Sequence, residues 1–193
     1  MTEINETPED IVEEVFPFIE GQSVNLLPIN SEHVEIYIKW ENNPKVRRYS
    51  RNVIPITSEE QKKVIEEAKV DKRIIFEIWH KEDKKPIGFA ELNDNDWINR
   101  RAEIGLMIGE PEYWNRGLAT EAGKLLVNYG FMELNLNKII TSIFSPNIGS
   151  WRCVEKIGMI REATLKNHAY IDGVYVDDYK YCIFKEDWLK KRI

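Results

Sequence analysis

Only two cysteines, Cys153 and Cys182, occur in the 193 residues. Two thiols so placed exclude a disulfide framework and the paired ligands of a zinc site. Reduced cysteines fit a cytoplasmic protein. No apolar run approaches the ~20 residues that a bilayer-crossing helix needs, so no membrane association is expected. Thr2 to Asp10 is acidic and polar, which argues against a signal peptide. Basic excess is missing as well: 27 Lys and Arg face 33 Asp and Glu, a net charge of -6. The acids are unevenly spread. Residues 1–20 hold seven of them (Glu3, Glu6, Glu9, Asp10, Glu13, Glu14, Glu20) and no Lys or Arg; without these, 26 acids face 27 bases. A near-neutral body lacks the basic footprint of a nucleic-acid binder, and the head reads as a solvated extension. Repeats, low-complexity tracts and metal-ligand clusters are absent too.

What is present suits one soluble domain: 42% hydrophobic and 31% charged residues over a length that buries a real core. The expected boundaries are an acidic extension over 1–20 and a single domain over 21–193. The extension reads as helical from Pro8-Glu9-Asp10, with Ile11, Val12, Val15 and Phe16 as its apolar stripe. Ser23 to Ile29 reads as a strand. Asn30-Ser31 caps a helix through Trp40 that Asn42-Asn43-Pro44 ends. Thr57-Ser58-Glu59-Glu60 starts a helix with a capping box, running to about Val70. Three strands follow, Arg73 to His80, Ile87 to Leu92 and Ala102 to Ile108, as an antiparallel meander. A helix from Asn115 to about Leu134 turns Leu118, Ala122, Leu125, Leu126, Tyr129 and Met132 inward. Lys138 to Phe144 is a strand, Asn147 to Lys156 a short helix closed by Gly158, and Met159 to Ile171 with Val174 to Phe184 a hairpin about Asp172-Gly173. The step from Ala102–Ile108 through a helix to Lys138–Phe144 is a βαβ unit, so those two strands are parallel neighbours in a mixed sheet.

The densest signal is Ala102 to Ala122, AEIGLMIGEPEYWNRGLATEA. An apolar strand breaks at Gly109-Glu110-Pro111 and hands over to a helix through Trp114-Asn115-Arg116-Gly117-Leu118-Ala119-Thr120. Free N–H groups and the positive dipole end point out of a helix start, which makes an anion site of the phosphate-binding kind. A P-loop would need a Lys and a second Gly that are not here.

This order of elements resembles the GNAT acetyltransferase superfamily, and within it the RimJ/RimL-type N-acetyltransferases of the ribosomal-protein-alanine kind. Five ordered segments carry the resemblance: Trp40-Glu41-Asn42-Asn43-Pro44; Ile87-Gly88-Phe89; Trp114 to Ala122; Asn147-Ile148-Gly149-Ser150 with Glu155-Lys156-Ile157-Gly158-Met159; and Tyr170-Ile171-Asp172-Gly173 with Asp177. It implies an α/β fold, with a central mixed, mostly antiparallel seven-stranded sheet, about four helices and one parallel βαβ step. It implies acetyl transfer from acetyl-CoA, with no metal, to a primary amine by direct attack in a ternary complex. The acceptor is then a peptide N-terminus, an amino sugar or a polyamine, with a lean to protein N-termini. The protein is expected to act as a monomer or homodimer. Three family positions depart: Trp114 heads the loop where Gln or Arg is usual, Val154 stands where many relatives carry a tyrosine general acid, and Ala169 where some carry a glutamate. The last two motivate the alternative, a CoA-binding sensor that has lost its chemistry.

Acetyl transfer makes three demands. The cofactor pyrophosphate falls to the main chain of Asn115 to Thr120, with Gly117 and Ala119 allowing close approach, Leu118 between them, Thr120 adding a hydroxyl, Arg116 adding charge and Trp114 leading the loop. The pantetheine arm is expected against the main chain of Met107 and Ile108, one of whose N–H groups is the candidate oxyanion donor. Removing a proton from the ammonium needs a base. Glu103 is the first candidate, on one strand face with Gly105 and Met107; the alternative is a structural Glu paired with Arg100 or Arg101. Glu91 is the second candidate, or an exposed acid near a strand end. For the acid, Ser150 is the candidate, or else a helix cap, and Asn147 holds the cofactor arm or a water. Trp40, Tyr49, Trp79 and Trp97 either wall an acceptor cleft or belong to the core.

Overall fold

The computed structural model describes residues 16–50, 53–67 and 73–190. In chain order the elements are β1 (Val24–Pro28), α1 (Val34–Asn42), α2 (Pro44–Arg47), α3 (Ser58–Glu67), β2 (Ile74–His80), β3 (Lys85–Asp96), β4 (Arg101–Ile108), α4 (Leu118–Met132), β5 (Lys138–Phe144), α5 (Ile148–Ile157), β6 (Ile160–Ile171), β7 (Val174–Phe184) and α6 (Lys185–Lys190). The strands form one seven-stranded sheet in the order β1-β2-β3-β4-β5-β7-β6. Only β4 and β5 run parallel; every other pair is antiparallel.

Strand alternation sorts side chains to two faces. Ala102, Ile104 and Ile108 of β4 join Ile139 and Ile143 of β5, with Leu118, Ala122 and Leu126 of α4 and Val154 and Ile157 of α5, in the main core. On the other face a smaller cluster packs Val34, Tyr37 and Trp40 of α1 and Ile65 of α3 onto Phe89 and Met107. Each fully buried Leu, Ile or Phe here contributes roughly 1.5–3 kcal/mol relative to exposure.

The capping box at the start of α3 is realised: Glu60 accepts from the Thr57 N–H at 2.9 Å and from its hydroxyl at 2.8 Å. Six α-helices, two more than expected, occur among the described residues. Asn43 ends α1 and at once caps α2, its side chain accepting from the Lys45 N–H at 3.0 Å, so Asn-Pro both stops one helix and starts another. The second addition, α6, follows β7 directly. α4 begins at Leu118 rather than Asn115, because Asn115 and Gly117 hold left-handed φ values of 61° and 82°. Met132, expected inside, is 48% exposed; Phe131 takes the buried position.

The helix expected in the acidic head lies largely outside the described residues. At 16–20 the chain is not helical, and Ile19 bridges Leu26. Glu121 in the first turn of α4 accepts from the N–H groups of Gln22, Ser23 and Val24 at 2.7, 2.8 and 3.3 Å, fastening this segment to the helix that carries the phosphate-type loop.

Candidate active site

β4 and β5 pair over three residues only, Arg101–Glu103 against Lys138–Ile140. Beyond Glu103 the strands part, and among the described residues no strand pairs with the second half of β4 on its β5 side. Gly109 donates its N–H to Ile87 O at 2.8 Å, toward β3. Antiparallel alternation then commits the main chain of Met107 to Phe89 and leaves that of Leu106 and Ile108 facing the opening. Of the two residues expected to meet the cofactor through their main chain, Ile108 faces the opening and Met107 does not; Leu106 takes its place. The carbonyl of Ile108 accepts from the Trp114 indole at 2.8 Å, which holds the loop against the end of β4.

The loop itself suits a pyrophosphate. The first helical bond of α4 runs from Glu121 N–H to Gly117 O at 3.0 Å. The N–H groups of residues 115–120 before it find no protein acceptor among the described residues. A Cβ on Gly117 would meet nothing within 4 Å, so the approach is open. Leu118 offers only its main chain, since its side chain is buried in the core. Thr120 is not free for a ligand alone: its hydroxyl lies 3.4 Å from the Cys153 sulfur. Arg116 and Lys85 both lie over the Tyr113 ring, 5.1 and 5.0 Å from its centroid, placing two cations beside the loop. Tyr113 also bonds Asp83.

The face that carries Glu103, Gly105 and Met107 also carries Glu91 and Asn93 of β3, with Glu91 opposite Gly105 and Asn93 opposite Glu103. Glu91 is not a strand-end acid. It sits mid-strand, bonded by Arg73 at 2.6 and 2.9 Å and by Asn93 at 2.7 Å. Gly105 makes room for it: a Cβ there would lie 2.7 Å from a Glu91 carboxylate oxygen. Arg100 and Arg101, weighed as partners of Glu103, contact the Asn135 carbonyl at 3.0 Å and Asp96 at 3.6 Å. Glu103 is half-buried at the last residue where β4 and β5 pair.

At α5 the roles of the two expected residues shift. Asn147, not Ser150, is the cap: its side chain accepts from the Ser150 N–H at 3.3 Å. Val154 is buried in the main core. Burial pushes the Cys153 thiol up. The Tyr181 hydroxyl, pushed up to about 12 by burial and then by the Glu155 carboxylate it bonds at 2.9 Å, is held neutral. Trp40 is fully buried and donates to Glu110 at 2.8 Å, so it belongs to the core. Trp79 is half-buried and stacks on His33, whereas Trp97 is 45% exposed. Among the described residues no group of three or more His, Cys, Asp or Glu side chains is placed to hold a metal ion. No described helix is long and apolar enough to cross a membrane.

Residues 23–160 match the acetyltransferase (GNAT) domain family. The chain belongs to the GNAT acetyltransferase family. It is an acetyl-CoA-dependent acetyltransferase. The spermidine N(1)-acetyltransferase of Escherichia coli (strain K12) is 30% identical over 174 residues, 88% of this chain and 90% of the relative. A putative ribosomal N-acetyltransferase, YdaF of Bacillus subtilis (strain 168), is 33% identical over 101 residues, 52% of this chain and 55% of the relative. In fold, the acetyltransferase superposes on a Vibrio cholerae spermidine N-acetyltransferase, solved with CoA and spermine, at a TM-score of 0.81 and 22% identity, covering 88% of this chain and 99% of that one.

Sequence reasoning missed Arg73, Lys85 and a group on β5 and β7. There the Ser142 Oγ lies 2.6 Å from each Asp178 oxygen and 2.6 Å from the Lys180 Nζ. No local motif marks these residues of the acetyltransferase; only the β5–β7 register, with Ser142 opposite Lys180 and Phe144 opposite Asp178, unites them.

Proposed function

We propose that this enzyme acetylates a primary amine of the small polycationic, polyamine class, with Glu103 as base. The observation that carries it is the pair of acids on one face of the opening, Glu103 beside Glu91. Arg73 holds one Glu91 oxygen and Asn93 the other, so Glu91 shapes this face and Glu103 serves as the base. A cationic amine is drawn to such a face, and a carboxylate there takes the ammonium proton before attack. The spermidine-acetylating relative spans nearly the whole chain, whereas the ribosomal-type relative spans half. This favours a polyamine over the peptide N-terminus that a RimJ/RimL kinship implies. Acetyl-CoA supplies the acetyl group as a thioester. The loop of residues 115–120 holds its phosphates, and the Ile108 N–H is the oxyanion donor, since that of Met107 is spent on β3.

A thiol-release assay with acetyl-CoA tests the reading. Spermidine and spermine are compared with Ser-, Ala- and Met-starting peptides, aminoglycosides and amino sugars. The expected result is release that needs both substrates and is fastest with a polyamine. Faster turnover of a peptide N-terminus, with spermidine inert, would replace the polyamine reading.

A further inference from the structure

An amine acetyltransferase must return a proton to the departing thiolate as well as take one from the amine. On the α5 side of the opening the Ser150 hydroxyl has no hydrogen-bonded cation behind it among the described residues to return a proton, and the other groups are committed. Val154 is buried carbon, the Tyr181 hydroxyl is tied to Glu155, and the Cys153 thiol is raised by burial and held by Thr120. The β5 wall differs. Glu103 pairs with Ile140, so continuing that register by two residues sets Ser142 across the opening from Gly105. By alternation Ser142 shares the face of Glu103 and turns away from Ile139 and Ile143, which are core. Its hydroxyl accepts from Lys180 and donates to Asp178, so its proton and lone pair are both directed. Asp178 is 1% exposed, whereas the Lys180 side chain keeps 34% and reaches solvent. Asp178 and Lys180 already pair directly at 3.1 Å, so Ser142 is not needed to neutralise the buried acid.

We propose that Ser142 is the general acid of the acetyl transfer, with Lys180 and Asp178 as its positioning residues. As the amine nitrogen bonds the acetyl carbon and the carbon–sulfur bond breaks, the electron pair stays on sulfur. The Ser142 hydroxyl turns its proton from Asp178 to that thiolate and takes one from the Lys180 ammonium. Lys180 is recharged from water, while Glu103 carries off the proton lost by the amine. Asp178 keeps Lys180 charged and holds the hydroxyl proton until the thiolate forms. The other charged groups around this face are Lys138, paired with Glu162 at 2.6 Å, and across the opening Glu103 and the Arg73–Glu91 pair.

The proposal rests on the acetyl-CoA reaction described above, and it is tested without turnover. CoA is bound to the enzyme, and its thiol is titrated by the ultraviolet absorbance of the thiolate. A complex with desulfo-CoA is the blank for Cys153 and Cys182. A thiol facing a donor hydroxyl and an ammonium is expected to titrate about one pH unit or more below free CoA. Ser142→Ala should abolish that shift, Ser142→Thr restore it, and Lys180→Met weaken it, all with unchanged desulfo-CoA affinity. In steady state, Ser142→Ala should lower kcat about 100-fold with KM for the amine little changed. Lys180→Arg keeps the charge and guards against loss of the fold. A bound thiol that titrates alike in wild type and Ser142→Ala would overturn the proposal. Failure of the wild type to bind CoA would overturn the acetyl-CoA reading with it.

Discussion

At the scale of single residues, Glu103 and Gly105 carry the clearest consequences. Glu103→Gln keeps the shape and removes the base. Its rate with a polyamine should fall about 100-fold at neutral pH, and the deficit should narrow as pH nears the ordinary amine range, where the acceptor deprotonates unaided. A variant as fast as wild type at pH 7 would strike Glu103 from the mechanism. Gly105→Ala asks a different question. The added methyl would press on Glu91, and the contact of that carboxylate with Arg73 would have to change. A loss of about 1–3 kcal/mol in chemical denaturation is expected from such overpacking, together with a raised KM for the amine. Both residues were visible in the sequence as neighbours on one strand face. The partner of Glu91 was not, because Arg73 precedes β2 while Glu91 lies on β3.

At the scale of elements, the loop before α4 and the outer strands differ in what holds them. Gly117→Ala should cost about 1–2 kcal/mol, because the left-handed φ of 82° strains any Cβ although space is open around it. Affinity for CoA should fall in the same variant as the N–H array is disturbed, which calorimetry reads directly. On β7, burial and then the Glu162 carboxylate push the Cys182 thiol from its ordinary 9.0 up to about 11. A raised folded value means that the unfolded chain releases this proton first. The stabilising contribution is complete below pH 9.0 and is lost as pH climbs to about 11. Denaturation midpoints should therefore fall over that window, and Cys182→Ala should flatten part of the fall, with Cys153 and the raised tyrosines Tyr37, Tyr129 and Tyr181 adding to it. Element identity was readable at this scale from periodicity and caps. The start of α4 was misplaced because two left-handed residues, Asn115 and Gly117, hold the chain open ahead of the first helical hydrogen bond.

At the scale of the whole molecule, the parting of β4 from β5 organises the site. Amide hydrogen exchange should distinguish the two sides of β4. Leu106 and Ile108, facing the opening, should exchange faster than Met107 and Gly109, which bond to β3; adding CoA should protect Leu106, Ile108 and residues 115–120 selectively. Equal protection across all four strand positions without CoA would contradict the register. By itself, the amino-acid sequence determined the seven strands in order, the parallel step, the turn into α4 and the family, because each rests on spacing within a short stretch of chain. The tertiary structure alone decided which β4 amides face the opening, that Glu91 is neutralised by Arg73, and that Ser142 meets Asp178 and Lys180. Those contacts depend on strand register and on where pairing stops, and both are set by packing between segments that lie far apart in the chain.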